Sequence, residues 1–286
     1  MVSDIAVGAL AGAAATALLQ RLLAGPLSRQ RHSRIPQKVK RVTSPNPDWK
    51  PGDNVGHPFE NNARLQIEPH EGASTMYPFI ISSVIPRPIG FVCSLSKEGA
   101  RNLSPYSYFN VMSHDPPYIC IGGCATSGRP SKMKDTQQNL METKEFTINL
   151  ISEWFVEAAH HTCGNYDRGV DEVELSGLTP VPSVKVKPPR IDESAVQFEC
   201  ILRDTYDVKN EKGDVTCTIL IGEVILVHVL EAVTARTAHN HVIVDLDKYA
   251  PVSRMGGDSY ARLTEYYDIP RPGKEWQDRS AAVVKA

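Results

Sequence analysis

Val196-Gln-Phe-Glu-Cys-Ile-Leu-Arg-Asp-Thr-Tyr-Asp-Val208 is followed, after the polar turn Lys209-Asn-Glu-Lys-Gly-Asp214, by Val215-Thr-Cys-Thr-Ile-Leu-Ile-Gly-Glu-Val-Ile-Leu-Val-His-Val-Leu230. Both arms are rich in β-branched and aromatic residues and contain no proline. They form a hairpin long enough to curve into a barrel wall. The rest of the body is read outward from that hairpin.

Upstream, Pro88 to Ser96 is β-rich and closed by the turn Lys97-Glu-Gly-Ala100. Tyr106 to Met112 alternates aromatic and small residues and reads as a half-buried strand. Tyr118 to Cys124 and Phe146 to Ile151 are further short strands. Helices are few: Glu71 to Val84 stops before Pro86, Lys134 to Thr143 has Asp135 or Thr136 as N-cap, and Glu153 to Thr162 follows a strand. Strict βαβ alternation is missing, so an antiparallel barrel is expected and a doubly wound parallel sheet is not.

The 286 residues are 41% apolar and 22% charged, ordinary for a folded soluble protein, and the net charge of −2 gives no argument for a nucleic-acid partner. Charge is uneven: residues 1–41 carry a net +6, leaving −8 for the remainder. The six cysteines are scattered without a C-x-x-C pair, which excludes a zinc site of that kind and points to reduced, partly buried thiols.

Ile5 to Leu19 is uncharged, and the apolar run reaches Ala24 only if Arg21 snorkels. It is shorter than the roughly 20 residues that span a bilayer. A membrane anchor over residues 5–24, an organellar presequence and an apolar packing helix all stay open, and with them a cytoplasmic, mitochondrial or membrane-associated location. Residues 26–62 hold six prolines and little apolar periodicity, so 26–70 reads as an extended linker or arm. The organisation expected is 1–25 apolar segment, 26–70 arm, 71–262 barrel domain and 263–286 tail.

Several motifs are rejected. Gly123-x-x-x-x-Gly128-Arg129-Pro130 lacks the lysine and hydroxyl of a phosphate-binding loop, and no G-x-G-x-x-G is present. His239-Asn-His241 has no carboxylate or cysteine cluster beside it, so no metal site is expected. No Ser-His-Asp or Cys-His arrangement is legible, so no acid–base or nucleophilic residue is assigned.

Four segments share a purpose. Ser82-Ser83-Val-Ile-Pro-Arg87-Pro88 pre-positions hydroxyls and a cation. Asn102-Leu-Ser104-Pro-Tyr106-Ser107-Tyr108-Phe109-Asn110 alternates hydroxyls with aromatics. Lys134-Asp135-Thr136 opens a helix, and Arg254-Met-Gly256-Gly257-Asp-Ser-Tyr260 is a Gly-Gly turn between a cation and an aromatic. A phosphate dianion needs amides, hydroxyls and a cation, which a helix start supplies well. A flat heteroaromatic ring needs apolar or aromatic faces and polar groups along one edge.

The series S-x-I-P-R-P-I-x-F-V, N-L-S-P-Y-S-Y-F-N, H-D-P-P, K-D-T-x-x-N-L and R-x-G-G-x-x-Y, from about Tyr77 to Tyr260, resembles the flavin-reductase-like proteins with an FMN-binding split barrel. The resemblance implies a Greek-key split β-barrel, a homodimer, and one FMN per subunit near the dimer interface. It puts Phe91 where the family often has a tryptophan near the flavin, and Asn102, Ser104, Tyr106 and Ser107 on the loop that meets the ring and ribityl chain. Arg87, Lys134 and Thr136 match the phosphate side, with Asp135 beside them and Asn139 supporting the helix start. Arg254 and Tyr260 match the closing loop, and His160 or His161 falls where relatives often carry asparagine. The activity implied is transfer of hydride or electrons from NAD(P)H through FMN to a second, small-molecule acceptor. An FMN electron carrier or storage protein is the alternative.

Overall fold

The computed structural model describes residues 37–61, 63–69, 73–126 and 132–273. Its elements in chain order are β1 (Lys40–Arg41), α1 (Ala73–Ser83), β2 (Gly90–Leu95), β3 (Arg101–Tyr106), β4 (Phe109–His114), β5 (Pro117–Cys124), α2 (Asp135–Thr143) and β6 (Glu145–Leu150). A 3-10 turn (Glu153–Phe155) leads into α3 (Val156–His161), then α4 (Glu172–Ser176), β7 (Pro180–Val181) and β8 (Arg190–Ile191). The long strands β9 (Val196–Lys209) and β10 (Val215–Val229) follow, then β11 (Thr234–Arg236), β12 (Val242–Val244), α5 (Leu246–Tyr249), β13 (Val252–Gly256), β14 (Ser259–Arg262) and β15 (Glu265–Tyr266).

Seven strands form one antiparallel sheet in the order β3-β2-β6-β9-β10-β5-β4. The two edge strands, β3 and β4, are consecutive in sequence and separated only by Ser107-Tyr108. The sheet therefore curls until its edges share a corner, where Gly122 N–H of β5 donates to the Tyr108 carbonyl at 2.7 Å. Curvature comes from β9–β10, whose register shifts near Val215, Gly222 and Leu226; bulges of this kind bend and twist a hairpin. The molecule is a split β-barrel, as expected.

Two cores lie on opposite faces of the curled sheet. Val92, Phe109, Ile121, Phe146, Ile148, Leu202 and Leu220 fill one, closed by Leu140 of α2. Phe91, Cys93, Leu103, Ile151 and Ile191 fill the other, beneath Phe155, Ala159 of α3 and Val173 of α4. Alternate residues of β2 thus enter different cores, which is the period-2 geometry of a strand buried on both faces.

Three expectations are corrected. Tyr106–Met112 is not one strand: β3 ends at Tyr106 and β4 starts at Phe109, because the chain turns the barrel corner between them. The N-cap of α2 is Lys134, not Asp135 or Thr136; its N–H donates to Gln137 Oε1 at 2.9 Å, so the side chain of the first turn does the capping. Glu153–Thr162 divides into a 3-10 turn and the shorter α3. Two stretches read as arm and tail also meet: β1 pairs in parallel with β15, and Arg41 lies 2.5 Å from Asp268. The apolar stretch 5–24 lies outside the described residues, among which no helix is long and apolar enough to cross a membrane.

Candidate functional site

The barrel corner, the start of α2, the loop after α3 and the β13–β14 hairpin converge on a cleft with two adjoining parts, of about 220 and 420 Å³. Tyr106, Lys134 and Cys163 line both. The smaller part is walled by Tyr77 and Ile81 of α1, Arg87, Ser107, Tyr108, Cys124, Arg254 and Tyr260. The larger holds Asn102, Ser104, Asp135, Thr136, the loop from Thr162 to Arg168, and Glu172. Of the residues expected at the site, all except Phe91 and Asn139 line this cleft.

Backbone pairing sets the smaller part. Arg87 and Arg254 exchange N–H···O=C bonds, each 3.0 Å, which ties the segment after α1 to β13. Gly256 has φ of +140°, and a Cβ there would meet the Ile81 carbonyl at 2.9 Å, so only glycine lets β13 close on α1. The Arg254 guanidinium carbon lies 4.6 Å from the centre of the Tyr260 ring, while its Nη1 is buried with no hydrogen-bond partner among the described residues. The Tyr260 hydroxyl meets His160 Nδ1 at 3.0 Å, the rings standing edge to face. Burial pushes the Tyr260 phenol above its ordinary range, against the lowering effect of Arg254.

The larger part is built on hydrogen bonds across long sequence separations. Thr136 Oγ1 donates to Asn102 Oδ1 at 2.7 Å, and Asn102 Nδ2 donates to Glu172 Oε1 at 3.0 Å. Glu172 Oε2 accepts from Leu103 N at 3.0 Å, and burial raises its carboxyl above the usual range. Arg168 bridges Asp135 and Gln138 at 3.2 and 2.8 Å. The Lys134 ammonium sits 5.5 Å from the Tyr106 ring centre, where the two parts of the cleft meet.

Three expected residues have different surroundings from those anticipated. Phe91 is fully buried in the second core, 6.4 Å between ring centres from Phe155, and shows no face to the cleft. Asn139 points inward from α2 and donates to Ser94 Oγ at 3.1 Å, anchoring the helix on β2. Arg87 lines the cleft, but its Nη1 donates to the Ile81 and Val84 carbonyls at 2.6 and 2.8 Å and its Nε to Ser107 Oγ at 3.3 Å. Its guanidinium thus caps the end of α1. The sequence reading missed Glu172, Arg168 and Cys163. Cys163 and Arg168 lie on the loop after α3 and Glu172 opens α4; the partners of Arg168 and Glu172 are far away in the chain, and the only local signal is the Asp171 cap of α4.

The donor set fits a phosphorylated, flat, partly polar ligand: an exposed ammonium and the N-terminus of the nine-residue α2, an unsatisfied buried guanidinium nitrogen, and the flanking rings of Tyr106 and Tyr260. Comparison with known proteins agrees with that chemistry. The model of the flavin reductase like domain matches residues 82–243. The uncharacterised protein YwrF of Bacillus subtilis is 37% identical over 70% of this chain and 95% of its own. The solved structure of nitrilotriacetate monooxygenase component B from Bacillus cereus is 33% identical, covers 73% of this chain and 100% of its own, and has a TM-score of 0.67. A 2-nitrobenzoate 2-nitroreductase from Pseudomonas fluorescens is 28% identical, covers 73% and 98%, and has a TM-score of 0.63. With its sheet order and corner cleft in place, the chain belongs to the family of proteins built on the flavin reductase like domain.

Proposed function

We propose that the protein binds FMN in this cleft and works as an oxidoreductase, moving electrons from NAD(P)H to a small-molecule acceptor. Bound FMN would supply the chemistry, taking up a hydride equivalent and passing electrons on. The protein's residues bind and orient. Lys134 and the first amides of α2 hold the phosphate, and Arg254 adds a second cation on the ring side. Asn102, Ser104 and Ser107 line the ribityl path, while Tyr106, Tyr108 and Tyr260 wall the ring and exclude water. Thr136, with its hydroxyl committed to Asn102, acts through its backbone, and Asp135 holds Arg168 beside the helix start. No side chain is assigned a proton-transfer step. The observation that carries this reading is the convergence of Lys134, Arg254 and their partner rings Tyr106 and Tyr260 on one cleft.

The exposed Tyr77, Phe79 and Ile80 of α1, next to the cleft wall, support a homodimer, which size-exclusion chromatography with light scattering tests. For the activity, the purified protein is expected to show a flavin visible spectrum and to release FMN on heating. Anaerobic NADH or NADPH is expected to bleach the bound flavin. Bound FMN that neither nucleotide bleaches would make the protein an electron carrier or store. Failure to take up FMN at all would overturn the site.

A further inference from the structure

Cys124 of β5 and Cys217 of β10 face each other across the sheet. At the next pair along, Ala125 N–H donates to the Thr216 carbonyl at 2.8 Å. Hydrogen-bonded and non-hydrogen-bonded pairs alternate along an antiparallel ladder, so Cys124 and Cys217 form a non-hydrogen-bonded pair. In such a pair the Cα atoms stand about 4.5 Å apart and both side chains leave the same face. A disulfide spans Cα separations of about 4.4–6.8 Å, so this pair lies within reach of one without backbone movement.

Both cysteines are free thiols and partly exposed. The Cys217 thiol is pushed up to about 12, mainly by burial, then by the charge on Cys124 and a hydrogen bond to it. Cys124 also lines the smaller part of the cleft beside Tyr108, which gives small molecules a route to it. Cys93 and Cys200 are buried, and Cys120 stands opposite Asn110 and Ile221.

We propose that Cys124 and Cys217 form a reversible disulfide, a two-electron thiol redox site in the wall of the cleft, oxidised by a hydroperoxide and reduced by a small-molecule thiol. The Cys124 sulfur attacks one peroxide oxygen; an S–O bond forms, the O–O bond breaks, and the departing hydroxide (from hydrogen peroxide) or alkoxide takes up the proton that the Cys124 thiol gives up, becoming water or an alcohol. Cys217 sulfur then displaces hydroxide from the Cys124 sulfenic acid, forming S–S and breaking S–O, and its own proton turns that hydroxide into water. Each turnover oxidises the two thiols by two electrons in all and reduces one hydroperoxide. Two equivalents of the small thiol return both cysteines by exchange through a mixed disulfide, leaving as their own disulfide. The site does not depend on the FMN reading.

The test treats the full chain with hydrogen peroxide, with and without added FMN, and then with glutathione. Loss of two thiols per chain is expected, with a mass decrease of about 2 Da and a non-reduced peptide joining Cys124 to Cys217, all reversed by glutathione. In Cys217→Ser the sulfenic acid on Cys124 is expected to persist and to be trapped by dimedone, whereas Cys124→Ser gives neither product and Cys163→Ser behaves as the unaltered chain. A peroxide-treated chain without the 124–217 link would overturn the proposal, as would a link from Cys124 to Cys163. The peptide map of the unaltered chain decides the matter even if a variant fails to fold.

Discussion

Asn102 and Glu172, seventy positions apart, are joined by a 3.0 Å hydrogen bond in the lining of the larger part of the cleft. Glu172 belongs to α4 and Asn102 to β3, and Asn102 in turn accepts from Thr136 in the first turn of α2. One buried carboxylate thereby positions a strand and, through it, the helix start that faces the cleft. Arg101 adds an ion pair to Asp171, the cap of α4, so two neighbouring residues of β3 grip the same short helix.

Glu172→Gln is expected to show what that carboxylate does. Its two oxygens accept from two donors, Asn102 Nδ2 and Leu103 N, and a glutamine keeps only one acceptor oxygen. Leaving one donor unsatisfied costs about 1–3 kcal/mol. Burial raises the carboxyl in the folded state, so its contribution to stability is complete below its ordinary value of 4.5 and is lost as pH rises through the folded value. Glutamine does not titrate. Urea midpoints taken from about pH 4 to about pH 8 should therefore show the largest gap between the two proteins at the acid end, narrowing toward neutrality. A gap that widens with pH would show that the hydrogen bonds to the charged form outweigh its burial.

Gly123→Ala tests how tightly α2 is seated on the barrel. A Cβ at Gly123 would stand 2.6 Å from Gln137 Cδ, while Gln137 Nε2 donates to the Gly123 carbonyl at 2.8 Å and its Oε1 caps Lys134. The added methyl must push this side chain away and undo both contacts. The overpacking cost is expected to be about 1–3 kcal/mol. Gln137→Ala removes the same contacts without a clash and should cost about 0.5–2 kcal/mol, the range for a lost helix cap. Equal urea midpoints for Gly123→Ala and the unaltered chain would mean the helix shifts freely.

The hairpin from Val196 to Leu230 was legible to within a residue because β-branched residues fill both arms and the turn is polar throughout. The strand β3 was not, because Asn102, Ser104 and Pro105 give it neither an apolar alternation nor β-formers. Its polar face is satisfied by Glu172 and Thr136, partners that no local pattern can show. Phe91 was placed by the resemblance alone, and no local pattern could add to it: in a strand buried on both faces, period 2 does not say which face looks toward a cleft and which toward the second core. The basic and aromatic residues that line the cleft were legible because they occur in short, distinctive segments, which the fold places at strand ends and a helix start around one barrel corner.

Arg87→Lys separates a positioning role from a binding one. The guanidinium serves two carbonyls at the end of α1 and the Ser107 hydroxyl, whereas a lysine ammonium lacks the planar fork that reaches all three. The loss is expected to cost about 1–3 kcal/mol and to speed amide hydrogen exchange in the last turn of α1. Unchanged exchange there, combined with weaker flavin binding, would move Arg87 from the fold to the ligand.

Lys134→Ala is the most direct probe of the cleft, because Lys134 is exposed and its side chain is not needed for the cap that Gln137 provides. Its stability should change by no more than about 0.5 kcal/mol, as for other exposed substitutions. The ammonium sits where both parts of the cleft meet, and a charge-assisted contact to phosphate is worth about 1.5–3 kcal/mol. FMN affinity is therefore expected to fall roughly ten- to a hundredfold, with a weaker dependence on salt. Riboflavin has the same ring and ribityl chain but no phosphate, so its affinity should stay the same in the variant. Equal losses for both ligands, measured by fluorescence titration, would place Lys134 against the ring through Tyr106. Loss for FMN alone fixes the phosphate at the start of α2, and the ring then occupies the part of the cleft walled by Arg254 and Tyr260.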